Sequence, residues 1–129
     1  MILSVDDESD ITDLVSFHLT RAGYEVTTAA SGREALDAVQ ARRPDLILLD
    51  LMLPDIDGFG VCEILRRTPD TATIPIVIVS AWSTTDTREL GLELGALDYM
   101  TKPFSPRDLT ERVRHLLNLR STRQSKAIS

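Results

Sequence analysis

The chain contains a single cysteine, Cys62. One thiol excludes an internal disulfide and a cysteine-based zinc site, and it suits a reducing compartment as a small apolar residue on a helix. Long apolar runs are also missing, since none approaches the roughly 20 residues that a membrane-spanning helix needs. The first strand-like run starts at Ile2, so a charged leader ahead of it is not expected, and a cytoplasmic protein without membrane contact is. Positive charge is scarce: 14 Lys and Arg stand against 20 Asp and Glu, a net charge of −6. Reading nucleic acid requires a basic surface against the phosphates, so direct nucleic-acid binding by this chain is not expected. There is no internal repeat at the periods of solenoids or propellers. What is present is 129 residues, 43% of them hydrophobic, enough for one domain with its own core.

Strand-like and helix-like segments alternate. Ile11, Leu14, Val15, Leu19 and Ala22 follow helical spacing from about Ser9, and Gly23 supplies the stop. A short strand spans Glu25 to Ala29. Ser31 and Glu34 form a capping box that opens a second helix, which Pro44 ends. The continuous apolar run Leu46 to Leu49 suits a strand buried on both faces, as in a parallel sheet. A third helix carries Val61, Ile64 and Leu65, and Pro75 precedes the strand Ile76 to Val79. A fourth helix is expected near Thr85 to Leu94 and a short strand near Asp98 to Thr101. Ser105, Pro106 and Asp108 read as N-cap, N1 and N3 of the last helix. The pattern predicts an α/β fold, a (βα)5 doubly wound parallel sheet. Residues 120–129 hold Arg120, Arg123 and Lys126 without an acid, and read as a polar tail or the start of a linker after a domain of residues 1–119.

Polar residues close four of the apolar runs: Asp6 and Asp7, Asp50, Ser80 and Lys102. Strands of a parallel sheet share one carboxyl edge, and ligands of open α/β folds bind there at the point where the strand order reverses. Two adjacent carboxylates repel unless a cation or protons compensate, and Mg2+ is bound by one or two carboxylates together with phosphate oxygens. A carboxylate such as Asp50 can also attack phosphorus, giving an aspartyl phosphate. Phosphoryl transfer then asks mainly for alignment and charge neutralisation, which Lys102 and the Ser80 hydroxyl can supply.

Val5-Asp6-Asp7-Glu8, the segment Asp50 to Gly58, Ser80-Ala81 and the segment Asp98 to Phe104 together resemble the receiver domain of two-component response regulators, over about residues 2 to 119. Among receivers the chain looks most like those that precede winged-helix DNA-binding domains, such as the phosphate-regulon regulator. The resemblance implies a flavodoxin-like strand order 2-1-3-4-5. It implies that Asp50 accepts a phosphoryl group from a sensor histidine kinase or phosphotransfer protein. It implies Mg2+, or Mn2+ in its place, on Asp7, Asp50 and the Met52 carbonyl, with Asp6 acting through water. Ser80 and Lys102 would hold the phosphoryl oxygens, Lys102-Pro103 would be a cis peptide, and Tyr99 would turn inward as Ser80 moves. The output face would be helix 4, strand 5 and helix 5, also the surface of a homodimer. The protein would be a self-phosphorylating switch rather than an enzyme acting on an external metabolite.

Each residue has a plainer reading. Asp6-Asp7 alone is more often a helix cap, Asp50 a turn residue, Lys102 a surface lysine and Tyr99 core. His18 and His115 read as surface residues. Leu90, Leu94 and Leu97 are spaced i, i+4, i+7, which puts Leu90 in the core by default and Leu97 at an interface. Leu97 also stands where relatives carry an acid before Asp98, removing one partner from the inter-subunit ion pairs. The resemblance implies that Met52 and Trp82, two past the acceptor and two past Ser80, flank the path of an attacking water, and both are large and apolar, which favours a long-lived aspartyl phosphate. The rival functions are a Mg2+-dependent phosphohydrolase with an aspartyl-phosphate intermediate and a phosphorylation-independent pseudo-receiver. Many such hydrolases carry a second Asp two residues after the nucleophile as general acid-base, and Met52 at that position tells against this rival.

Overall fold

A computed structural model describes the backbone of residues 1–128 and the side chains of residues 1–118. Among these residues five strands alternate with five helices: β1 (Ile2–Val5), α1 (Ser9–Arg21), β2 (Val26–Ala29), α2 (Gly32–Ala41), β3 (Leu46–Leu49), α3 (Gly58–Arg67), β4 (Ile76–Ser80), α4 (Thr85–Glu93), β5 (Asp98–Thr101) and α5 (Pro106–Ile128). All strand pairs are parallel, and their order is β2-β1-β3-β4-β5. The order reverses between β1 and β3, the place where a site is expected.

Side chains alternate along each strand between the two faces of the sheet. Leu3, Ile47, Leu49 and Ile76 face one cluster with Ala35 and Val39 of α2 and Val61, Cys62 and Leu65 of α3. Ile2, Leu46, Leu48, Val77 and Val79 face a second with Val15 and Leu19 of α1 and Leu109 and Val113 of α5. A third, smaller cluster of Leu51, Ile78, Ala96 and Tyr99 lies beneath α4. Cys62 is fully buried on α3, and burial pushes its thiol up.

Local signals place the helix ends. Gly23 and Gly95 take φ of +100° and +104°, the left-handed region that glycine reaches without a Cβ penalty. Ser31 accepts from the Glu34 N–H, while the Glu34 carboxylate reaches back to the N–H of Ala30. Ser105 Oγ accepts from the Asp108 N–H. α5 extends by its backbone through Ile128, across most of the segment read as a polar tail or linker start.

One placement differs from the spacing argument. Leu90 is exposed, although its spacing suggested core, while Leu94 packs against the first cluster and Leu97 is exposed. The buried positions of α4 are instead Thr87 and Gly91. A Cβ at Gly91 would lie 2.6 Å from Ile78 Cδ1, so α4 sits close against β4, and any added carbon on that face makes the end of the Ile78 side chain shift. The far end of α4 is fastened: Arg66 of α3 donates to the Gly95 carbonyl from Nη2 at 2.8 Å and Nε at 3.3 Å, and to the Ala72 carbonyl at 2.9 Å.

Candidate functional site

The sheet's own hydrogen bonds position the polar residues. Just past the strand ends, Asp6 N–H donates to the Ala29 carbonyl, Asp50 N–H to the Val5 carbonyl and Lys102 N–H to the Ser80 carbonyl, at 3.0, 3.0 and 2.9 Å. The ladder therefore runs one residue beyond the assigned strands and carries Asp6, Asp50 and Lys102 to one edge. The Lys102-Pro103 peptide bond is cis. Behind Asp50, α3 begins at Gly58, where a Cβ would lie 2.5 Å from the Asp50 carbonyl oxygen and 2.8 Å from Leu51 Cα. Only glycine permits this approach of two backbones.

Side chains converge accordingly. Lys102 Nζ lies 2.6 Å from Asp6 Oδ2, 3.1 Å from Asp50 Oδ2 and 3.6 Å from Glu8 Oε1. Asp6 and Asp50 are buried, and Asp7 and Glu8 are exposed at the rim. One oxygen from each of Asp6, Asp7, Glu8 and Asp50 lies within 4.8 Å of the others. Burial drives the Asp6 carboxyl up, and the hydrogen bonds from Lys102 and the Glu8 N–H only partly reverse it. For Lys102, burial pulls the ammonium down, but the bonds to Asp6 and the neighbouring Asp50 charge outweigh it and the value is raised. This is a strongly anionic site, buried at its base and open at its rim, with one internal cation. Its hard oxygen donors and charge fit a divalent cation such as those bound by carboxylates and phosphate together.

Ser80 is fully buried at the end of β4, and its Oγ accepts from the Trp82 N–H at 3.2 Å. Tyr99 is turned inward, almost fully buried, and its hydroxyl donates to the Trp82 carbonyl. Met52 N–H donates to Asp50 Oδ1 at 3.3 Å. Met52 and Trp82 are large exposed apolar residues beside the acceptor strand ends, 61% and 48% exposed, and Trp82 leans toward Phe59 with ring centres 6.4 Å apart. His18 and His115 lie on α1 and α5, outside the acidic cluster.

Two residues escaped the sequence argument. Glu8 joins the cluster, and its signal was being the third consecutive acid after β1. Asp55, in the loop after β3, accepts from the N–H groups of Gly32 and Arg33 at 2.8 and 2.9 Å and so caps α2 from 22–23 residues away. These backbone donors, Arg33 first, hold its carboxyl below the ordinary aspartate value. An acid following Pro54 was visible, but its partner was not.

Residues 2–114 match the family model described as the response regulator receiver domain. The chain is 49% identical over 116 residues to the alkaline phosphatase synthesis transcriptional regulatory protein PhoP of Bacillus subtilis, covering 90% of this chain and 48% of that protein. It thus spans about half the length of the curated relatives it matches. Among solved structures, a CheY-like response regulator receiver domain protein of Methanospirillum hungatei superposes with a TM-score of 0.89 at 30% identity, covering 95% and 96% of the two chains. Chemotaxis protein CheY4 of Vibrio cholerae gives a TM-score of 0.84 at 35% identity, covering 88% and 95%.

Proposed function

Because the chain belongs to the response regulator receiver family, we propose that Asp50 accepts a phosphoryl group from a phosphohistidine on a sensor kinase or phosphotransfer protein, and that the product controls an output. An Asp50 carboxylate oxygen attacks phosphorus, the P–N bond breaks, and the departing imidazole takes up a proton. Lys102 Nζ, 3.1 Å from Asp50, neutralises charge gathering on the phosphoryl oxygens. The Ser80 hydroxyl donates to one of those oxygens and turns from its present bond to Trp82 to do so. Asp7, Asp50 and the Met52 carbonyl would hold Mg2+ or Mn2+, with Asp6 acting through water. That ion would supply positive charge to the transferring group and orient it.

The observation that carries this reading is the convergence of buried Asp6 and Asp50, of Lys102 and of exposed Asp7 on one edge of the sheet. Acetyl phosphate with Mg2+ is expected to label the wild-type protein on Asp50 and to leave Asp50→Ala unlabelled. Label retained in that variant, or steady-state turnover of phosphate monoesters, overturns it.

Met52 and Trp82 extend the proposal: they exclude or fail to orient an attacking water, so the aspartyl phosphate is long-lived. Met52→Asn is expected to speed phosphate loss, and a wild type that decays faster than this variant refutes the idea. The α4/β5/α5 face would carry the output contact or a homodimer. The exposure of Leu97 supports this, while Arg112 already pairs within the chain with Asp98 at 3.0 Å and Asp108 at 3.4 Å. Residues 1–119 would form the receiver and the following segment would lead to a linker. Among the described residues no helix is long and apolar enough to cross a membrane, and a cytoplasmic site of action is part of the proposal.

A further inference from the structure

Arg88 of α4 is exposed, and its guanidinium carbon lies 5.1 Å from the centre of the Tyr99 ring. Its Nη1 donates to Thr101 Oγ1 at 3.3 Å, on the same strand as Tyr99. Arg88 forms no ion pair among the described residues, unlike Arg112 across the same cleft of about 380 Å³, which is neutralised by Asp98 and Asp108. Its positive charge is therefore committed to an aromatic face and a hydroxyl. That geometry exists only while Tyr99 is inward, because the ring would otherwise leave the position the guanidinium covers.

We propose that Arg88 is a positioning residue that latches Tyr99 in its inward rotamer and so ties α4 to the state of the Asp50 site. The latch deepens the phosphoryl-acceptor reading and rests on it. Tyr99 holds the Trp82 carbonyl, and the Trp82 N–H donates to Ser80 Oγ, so one continuous chain of contacts joins Arg88 to the residue proposed to grip the phosphoryl group. An exposed cation over an aromatic ring shifts a two-state equilibrium by about two- to five-fold.

Two measurements test this. The first nitrates the metal-free protein with tetranitromethane and compares Tyr99 with half-buried Tyr24 in the same molecule. Arg88→Ala is expected to raise the Tyr99-to-Tyr24 ratio about two- to five-fold, and Arg88→Lys, which keeps the cation, to restore much of the protection. The second follows Trp82, the sole tryptophan, by fluorescence during titration with Mg2+ and beryllium fluoride. Arg88→Ala is expected to weaken this response about two- to five-fold, and to cost nothing further in a Tyr99→Ala background. An unchanged nitration ratio, or equal costs with and without Tyr99, overturns the latch. A wild type blind to beryllium fluoride refutes the Asp50 reading instead, and the nitration ratio still judges Arg88.

Discussion

α5 and α4 flank the same strand, β5, yet they are attached to the molecule in opposite ways. α5 drives Leu109 and Val113 into a broad apolar cluster shared with α1 and four strands, β1, β3, β4 and β5. On the opposite face of the sheet α4 offers only Thr87 and Gly91, rests on four buried residues, and leaves Leu90 and Leu92 in solvent. Apolar burial stabilises a helix by roughly 25 cal/mol for each Å² removed from water. A helix that buries a threonine and a glycine therefore gains little from its position. The comparison shows how one small domain keeps a firm scaffold and a loosely held element side by side.

The difference has measurable edges. Leu109→Ala, at a fully buried position, is expected to cost about 2–5 kcal/mol in urea unfolding, whereas Leu92→Ala stays within about 0.5 kcal/mol. Equal losses would remove the distinction. Gly58→Ala and Gly91→Ala sharpen it at the level of a single methyl. At Gly58 the added carbon meets backbone and is expected to cost about 1–3 kcal/mol, lowering labelling of the displaced Asp50 as well. At Gly91 it meets the end of the Ile78 side chain, and the roughly 1 kcal/mol that alanine gains in a helix offsets the shift, so the net change in unfolding midpoint is near zero.

The smallest expected effect concerns pH. Asp55 clamps the start of α2 with a carboxyl held below its ordinary value of 3.8 by backbone donors. A group lowered in the folded state contributes stability above its unfolded value, and this is lost as pH falls through the folded one. Asp55→Asn is therefore expected to flatten the acid limb of a stability–pH curve. In amide exchange it should affect the first turn of α2 and leave α4, which is capped by its own Thr84, unchanged. A matching response in α4 would show that the two helices share one cooperative unit.

Most of the scaffold was legible in the sequence. Apolar runs gave the strands, since Leu46 to Leu49 can only be covered on both faces, and Ser31, Gly23 and Ser105 marked helix ends through bonds to residues a few positions away. The convergence of Asp6, Asp50 and Lys102 was legible for a similar reason: strand-end position translates directly into a shared edge. Long-range fits were not legible. The reach of Asp55 to α2, and the Arg66 bonds to Gly95, depend on loops meeting in space. Leu90 misled because spacing describes a helix face without saying how much room lies beneath it, and the seat under α4 accommodates only Thr87 and Gly91. The polar stretch from residue 120 carried no apolar stripe, but it contains neither proline nor glycine, and nothing in it stops a helix already under way.

The bonds from Arg66 to Gly95 make α4 a lever with its fulcrum at one end. Nine residues at about 1.5 Å each give an arm of about 13 Å, so a swing of only ~10° about Gly95 displaces the Thr84 end by about 2 Å while the fulcrum stays still. The Thr84 end follows Trp82, whose N–H is bonded to Ser80, by two residues, so the largest travel falls close to the chemistry, and a small local event there is enough to re-aim the whole exposed flank of the helix.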